Sequence, residues 1–107
     1  MNECMVVGRV AAVPEIKTTP KGRVYASLIL ESERNFREED GSIKTDFFNV
    51  SVWRGAADQV ANVLRPGNCV AVRGRLSGRA VTKEDRTSYY CEVIGETIEC
   101  ITHADIS

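Results

Sequence analysis

Two aromatic residues within residues 45–54 could bind flat ligands. Successive side chains of a β-strand point to opposite faces, so Phe47 and Trp53 would share one face, with Asn49 and Ser51 between them. At a rise of about 3.4 Å per residue, the two rings would lie about 20 Å apart along one strand. Nucleobases are the obvious ligands for such a face, because every base has a π-face and stacking needs no sequence code.

The opposite face of the same stretch is apolar. Phe48, Val50 and Val52 predict a strand that packs against a core on this side. Apolar runs and alternation predict further strands at residues 4–11, 23–32, 68–77 and 89–101, the last with a bulge at Gly95. Helical spacing of apolar residues over 56–64 predicts one short helix, which Pro66 and Gly67 end.

Turn residues and charge mark the connections. Prolines and glycine predict a basic loop before residue 23, the charged segment 33–44 contains the turn signal Asp40-Gly41, and residues 78–88 form the tip of a last hairpin. Five strands with one helix between the third and fourth predict an all-β fold, the five-stranded Greek-key barrel known as the OB-fold. A chain of 107 residues suits one such domain, at residues 1–101, followed by a short flexible end at 102–107.

The charge distribution favours a nucleic-acid ligand more than the net charge does. The net charge is −1, although nucleic-acid-binding domains are usually basic. Residues 69–86, however, contain five bases against two acids, and residues 87–107 contain four acids without Lys or Arg. The chain therefore joins a basic segment to an acidic end.

Several other classes of protein are not supported. No apolar run is long enough for a membrane span and no signal peptide precedes the first strand, so we expect a cytoplasmic protein. The four cysteines lack Cys-x-x-Cys spacing and are expected as reduced thiols. The sole histidine, His103, has no second ligand pair to build a metal site, and no nucleophile has an evident base. We expect no enzyme activity, cofactor or metal.

The residues in order resemble the bacterial single-stranded DNA-binding proteins over about residues 2–101. Val7-Gly8-Arg9-Val10 is similar to the first-strand motif of that family. Residues 46–53 resemble its central strand, Ala57 through Pro66-Gly67 its helix, and Val72-Arg73-Gly74-Arg75-Leu76 its fourth strand. The first loop and the last strand match as well, at Pro14-Glu15, Thr19-Pro20-Lys21-Gly22, Tyr89 and Glu92-Val93.

The resemblance implies a homotetramer that binds single-stranded DNA with little sequence preference in replication, recombination and repair. It implies base stacking at three aromatic positions: Phe36, Phe47 and Trp53. Four basic positions match the family's DNA path: Lys17, Arg37, Lys44 and Arg79. Strand parity and loop placement add five more phosphate-binding candidates: Arg9, Arg54, Arg73, Arg75 and Arg86.

Two departures from the family pattern and several alternatives accompany this interpretation. Val81 stands where the family often has another aromatic residue. Typical members also continue into a flexible linker with an acidic tip, whereas this sequence ends at Ser107, so we do not expect recruitment of other proteins through such a tail.

Trp53 could instead fill a core, and Arg73 and Arg75 could be merely solvated. The alternative functions are a dimeric primosomal replication protein and a protein-interaction OB domain without nucleic-acid affinity.

Overall fold

The computed structural model describes residues 1–102, and every structural statement below refers to them. They form six strands and one helix. In chain order these are β1 (Cys4–Val10), β2 (Glu15–Thr18), β3 (Val24–Arg37), β4 (Ile43–Trp53), α1 (Gly55–Val63), β5 (Cys69–Lys83) and β6 (Arg86–Thr102). Apart from Thr102, at which β6 ends, the predicted flexible end at 102–107 lies outside the described residues.

Five of the strands close into a barrel. The hydrogen-bonded order is β1-β5-β6-β4-β3-β2, and β1 also pairs with β3 through Arg9–Glu31 and Val10–Leu30, which completes the ring. All neighbours are antiparallel except β4 and β6, which run parallel. The arrangement confirms the predicted OB-fold barrel, with one helix between its third and fourth barrel strands.

Alternating apolar residues fill the barrel. Ala26, Leu28 and Leu30 of β3 point inward with no exposed surface, which the alternation over residues 23–32 predicted. Val50 and Val52 of β4 are buried beside them. The other apolar residues of the core come from β1, α1 with the residue after it, β5 and β6: Val10, Ala57, Val60, Leu64, Val70, Val72 and Val93.

A bulge shifts the register between β5 and β6. Arg73 pairs with Thr97 and Gly74 pairs with Gly95, so Glu96 is the extra residue. A Cβ at Gly95 would lie 3.0 Å from Cγ1 of Val50, which explains why the strand carries a glycine at this point. The bulge predicted at Gly95 is therefore present, with its additional residue one position later.

The connections contain more strand than predicted. The first loop includes β2, which pairs with β3 along its whole length. The hairpin predicted over 78–88 is paired down to Lys83 and Arg86, because Glu84 and Asp85 form a two-residue turn with φ of 49° and 63°. β5 thus continues beyond the barrel, and this is why Leu76, predicted to point inward, is 43% exposed.

Two predictions of buried faces were partly wrong. Phe48 is half-buried, unlike Val50 and Val52, because it lies beyond the three residues of β4 that pair with β6, Val50 to Val52. The buried residues of α1 are Ala57 and Val60, followed by Leu64 just after the helix, whereas Ala56 and Val63 are exposed. The helix has nine residues and contacts β2, β3 and β4. Among residues 1–102 no helix is long and apolar enough to cross a membrane.

Candidate nucleic-acid interface

An open groove of about 350 Å³ lies on the outer face of the strands that surround β4. Side chains of β2, β3, β4, β5 and β6 line it, together with Thr19 just after β2. We call this feature the groove, and its residues are Lys17, Thr19, Tyr25, Ser27, Asn49, Ser51, Trp53, Ser77, Arg79, Tyr90, Cys91 and Glu92. Three residues of the predicted open face of residues 45–54, Asn49, Ser51 and Trp53, therefore meet in one site.

A stacked aromatic pair forms one side of the groove. Tyr25 and Trp53 are cross-strand partners, and their ring centroids are 4.6 Å apart with the planes inclined by 30°. Lys17 of β2 is the partner of Tyr25 on its other side, which makes a row across three strands. Both rings are half-buried, so they retain accessible surface. The row offers a stacking surface beside a cation, which suits a base and its phosphate.

A third aromatic residue also lines the groove. Tyr90 of β6 is 53% exposed, and the guanidinium of its cross-strand partner Arg79 sits 5.6 Å from the ring centroid. This distance is within the range of a cation–π contact, which holds Arg79 beside the ring. Tyr89, the preceding residue, is 80% exposed and is absent from the groove lining.

Polar side chains form the floor between the aromatic residues. The Ser27 hydroxyl donates to Oδ1 of Asn49 at 3.1 Å. The Ser51 hydroxyl donates to Oε2 of Glu92 at 3.4 Å, and Ser51 is only 6% exposed. Glu92 is itself exposed. The floor therefore presents hydrogen-bonding groups to whatever occupies the groove.

Phe47 lies on the same face of β4 as Trp53, outside the groove. Its side chain is 65% exposed, and its cross-strand partner is Glu31. Asn49 and Ser51 separate it from Trp53, as the alternation predicted. The structure thus places one predicted aromatic residue in the groove and one further along the same strand.

The third predicted aromatic residue, Phe36, lies on the β3–β4 hairpin arm, which we define as residues 33–44. Phe36 is 59% exposed, and Lys44 is exposed on the opposite strand of the arm. Nη1 of Arg37 donates to the carbonyl oxygen of Gly41 at 2.9 Å, so its guanidinium braces the turn. Phe36, Arg37 and Lys44 therefore all lie on the hairpin arm, and none of them lines the groove.

Hydrogen bonds fix the turn and the base of this arm. The hydroxyl of Ser42 donates to Oδ1 of Asp40 at 2.6 Å, and with the Ser42 amide it lowers the pKa of the Asp40 carboxyl below its usual value. Nη2 of Arg34 is 3.0 Å from Oδ1 of Asp46, and hydrogen bonding to that carboxylate raises the pKa of Arg34. Arg34 is thus already paired within the protein.

The other predicted basic residues are distributed around the barrel. Only Lys17 and Arg79 of the nine line the groove. Nη1 of Arg9 donates to the carbonyl oxygen of Gly67 at 3.3 Å, and Nε of Arg73 is 3.6 Å from Oε1 of Glu3. Three exposed arginines make no such contact among residues 1–102: Arg54 before α1, Arg75 on β5 and Arg86 at the β5–β6 turn.

Tyr25 and Tyr90 were missed as binding candidates. Tyr25 falls on the outward face of its strand in the sequence pattern, but only the β3–β4 register brings it onto Trp53. Tyr90 shares its face with Glu92, and its position in the groove depends on the pairing of β6 with Arg79 of β5. Both tyrosines lie on the outward face of a strand and have a basic cross-strand partner, Lys17 or Arg79. This combination is the signal that could have identified them.

Sequence comparison relates the chain to proteins of one family. A sequence model of the Single-strand binding protein family matches residues 1–101. The Single-stranded DNA-binding protein of Bacillus cereus is 35% identical over 100 residues, which make up 92% of this chain and 59% of that protein. The chain thus spans about three fifths of this relative. Single-stranded DNA-binding protein B of Bacillus subtilis is 32% identical over 98 residues, 91% of this chain and 87% of its own length.

A solved structure shares the fold over nearly the whole chain. The Plasmodium falciparum SSB complex with ssDNA superposes with a TM-score of 0.75 at 26% sequence identity, covering 95% of this chain and 96% of that one. The similarity therefore includes the barrel strands from which the groove is built.

Proposed function

We propose that this chain, which belongs to the single-strand binding protein family, binds single-stranded DNA in the groove. The observation that carries the proposal is the row Lys17–Tyr25–Trp53, which places a cation beside an aromatic stack in an open groove. Bases of any sequence can stack on such a platform while phosphates pair with the basic groups. The Bacillus relatives, which are single-stranded DNA-binding proteins, and the DNA in the Plasmodium falciparum complex support the same ligand.

The DNA path that we propose continues from the groove along β4 to the hairpin arm. Phe47 supplies an exposed ring on the way, and Phe36 supplies another at the arm, where Arg37 and Lys44 add positive charge. A strand bound along this path would alternate stacking contacts with phosphate contacts. A continuous path from the groove to the hairpin arm therefore requires Phe47, the aromatic residue between them.

Phosphate contacts are assigned by what each basic side chain already binds. Lys17 and Arg79 line the groove and come first. Exposed Arg54, Arg75 and Arg86, which lie outside the groove, can neutralise phosphates of a strand that extends beyond it. Arg9 already binds Gly67, and Arg73 already pairs with Glu3. Each would have to exchange that contact for a phosphate, so we expect these two residues to contribute least to phosphate binding.

Tryptophan fluorescence tests the central proposal, because Trp53 is the only tryptophan of the chain. Titration with oligo-dT at low salt should change the emission of Trp53 as a base stacks near it. Binding should weaken as salt is added, with a slope of about 0.7 in log K against log salt for each phosphate neutralised. An unchanged emission at low salt would contradict binding in the groove.

We further propose that the subunits assemble as a homotetramer. Met5 and Val7 alternate on the outer face of β1, where they are 59% and 48% exposed. Exposed apolar residues on a paired strand favour burial against another subunit. Light scattering should give about 47 kDa, four times the 11.8 kDa of this chain. A mass of about half that value would favour the dimeric primosomal type instead.

The role that we propose is non-catalytic protection of single strands in replication, recombination and repair in the bacterial cytoplasm. It needs no cofactor, since stacking and charge neutralisation account for binding. The chain should protect oligo-dT from a nuclease specific for single strands. Protection should disappear at the salt concentration at which the Trp53 signal reports release.

A further inference from the structure

The groove contains a carboxylate that phosphate binding does not explain. Glu92 lines the groove together with Trp53 and Tyr90, and its Oε2 accepts from the Ser51 hydroxyl at 3.4 Å. The ion pairs found within residues 1–102 join Arg34 to Asp46 and Arg73 to Glu3, so Glu92 forms no ion pair with this part of the chain, although Lys17 and Arg79 line the same groove. A carboxylate repels phosphate, so its partner in the groove must be a hydrogen-bond donor.

The donors of single-stranded DNA lie on the edges of the bases. A carboxylate has two acceptor oxygens and no donor, so it binds best to two adjacent N–H groups. Guanine presents such a pair, N1–H beside the N2 amino group. Cytosine and adenine each place an amino group beside an acceptor nitrogen, and thymine has one N–H between two carbonyl oxygens. Among the four bases, guanine therefore complements a carboxylate most fully.

We propose that Glu92 gives the groove a preference for guanine at one nucleotide position. The inference rests on the proposed binding of single-stranded DNA and adds base selection to it. Tyr90 and the Tyr25–Trp53 pair supply stacking surfaces at the sides of the groove, while Glu92 faces the base edge from the floor. At about 350 Å³ the groove is at the small end of ligand sites, which suits one base better than several.

Competition between short oligonucleotides tests the proposal. The probe is oligo-dT, and the competitors are the same oligo-dT with one central dG, dA, dC or deoxyinosine. A bidentate contact is worth about 1–3 kcal/mol of discrimination, so the dG oligonucleotide should bind at least about 5-fold tighter than oligo-dT. Deoxyinosine keeps N1–H and lacks the N2 amino group, so it should lose much of this advantage although it stacks like guanine.

The variant Glu92→Gln separates hydrogen bonding from stacking. Its amide keeps one acceptor oxygen and replaces the other with an NH2 donor, so it cannot accept N1–H and the N2 amino group in parallel, and the ratio of dG to dT affinity should fall to about one. Glu99→Gln is the matched control, because Glu99 is an exposed carboxylate of the same strand outside the groove, and it should keep the preference.

Three results would overturn the inference: equal binding of dG and dT oligonucleotides by the wild-type chain, equal binding of dG and deoxyinosine, or a preference that survives in Glu92→Gln. The deoxyinosine comparison uses the unaltered chain, so it decides the question even if the variant fails to fold. Failure of the wild-type chain to bind oligo-dT would instead remove the proposed function, and base selection with it.

Discussion

Trp53 stacks on Tyr25 across the β3–β4 pair, with 4.6 Å between ring centroids. The two rings thus form one platform, and loss of either changes the surface that the other presents. Trp53→Ala and Tyr25→Ala should each weaken binding of oligo-dT by about 1–3 kcal/mol. The double variant should lose less than the sum, with a coupling of about 0.5–1.5 kcal/mol. A labelled oligonucleotide followed by anisotropy measures all three, because it does not depend on Trp53.

Neighbouring tyrosines of β6 provide a matched pair of variants. Tyr90 lines the groove beneath Arg79, whereas Tyr89 points to the opposite face. Tyr90→Ala should cost about 1–3 kcal/mol of binding free energy for oligo-dT, and Tyr89→Ala should cost much less. Equal losses, measured by the same anisotropy titration, would show that the DNA path does not distinguish the faces of β6.

Salt dependence distinguishes basic residues that contact phosphate from those that do not. Lys17→Gln or Arg79→Gln should reduce the slope of log K against log salt by about 0.7, the contribution of one phosphate contact. Arg73→Gln is the control, since Arg73 already faces Glu3 and should leave the slope nearly unchanged. The measurement is a series of oligo-dT titrations at increasing salt. A smaller slope for Arg73→Gln than for Lys17→Gln would reverse our assignment of phosphate contacts.

The sequence predicted the site as far as strand parity can define it. Alternation placed Trp53 and Phe47 on one face of β4 and Val50 and Val52 on the other, because side-chain direction in a strand follows from position alone. Apolar runs and alternation also identified the five barrel strands along the chain, and helical spacing identified the helix between the third and fourth. Parity also placed Arg73 on the outer face of its strand, and Arg73 is exposed.

Parity does not determine which outward residues meet. A barrel has outward faces all the way around, so Arg73 and Arg79 share a face of β5 and yet lie near different partners, Glu3 and Tyr90. The Tyr25–Trp53 stack depends on register between strands, which a single strand's pattern does not contain. β2 was missed because four residues beside Pro14 and Pro20 give too short a pattern to distinguish from a loop.

Adjacent phenylalanines of β4 separate binding from folding. Phe47→Ala should weaken DNA binding and change the free energy of unfolding by less than about 0.5 kcal/mol, since the ring is 65% exposed. Phe48 is half-buried, so Phe48→Ala should destabilise the fold by less than the roughly 3–5 kcal/mol of a fully buried phenylalanine. Leu28→Ala, at a fully buried position, should cost about 2–5 kcal/mol. Urea denaturation measures all three.

If Phe47→Ala lowered the free energy of unfolding as much as Leu28→Ala does, the two faces of β4 would be assigned wrongly. The stability of Phe48→Ala also tests assembly. If another subunit covers the Phe48 ring, the ring would contribute more to the free energy of unfolding than its half-burial in one subunit indicates. The stability of Phe48→Ala should then vary with protein concentration, whereas that of Leu28→Ala relative to wild type should not.

Two glycines of β5 test whether the bulge sets the register beneath the groove. A Cβ at Gly74 would overlap the carbonyl oxygen of Ile94, whereas at Gly78 the nearest such atom, the carbonyl oxygen of Tyr90, is an ordinary 3.7 Å away. Gly74→Ala should therefore destabilise the fold by about 1–3 kcal/mol or more, and Gly78→Ala should be neutral or slightly stabilising. Because Gly74 precedes the Ser77–Glu92 pair, Gly74→Ala should also weaken oligo-dT binding under conditions where the chain stays folded. Urea midpoints and anisotropy titrations measure the two effects, and equal stability of both variants would contradict a register fixed by close contact at Gly74.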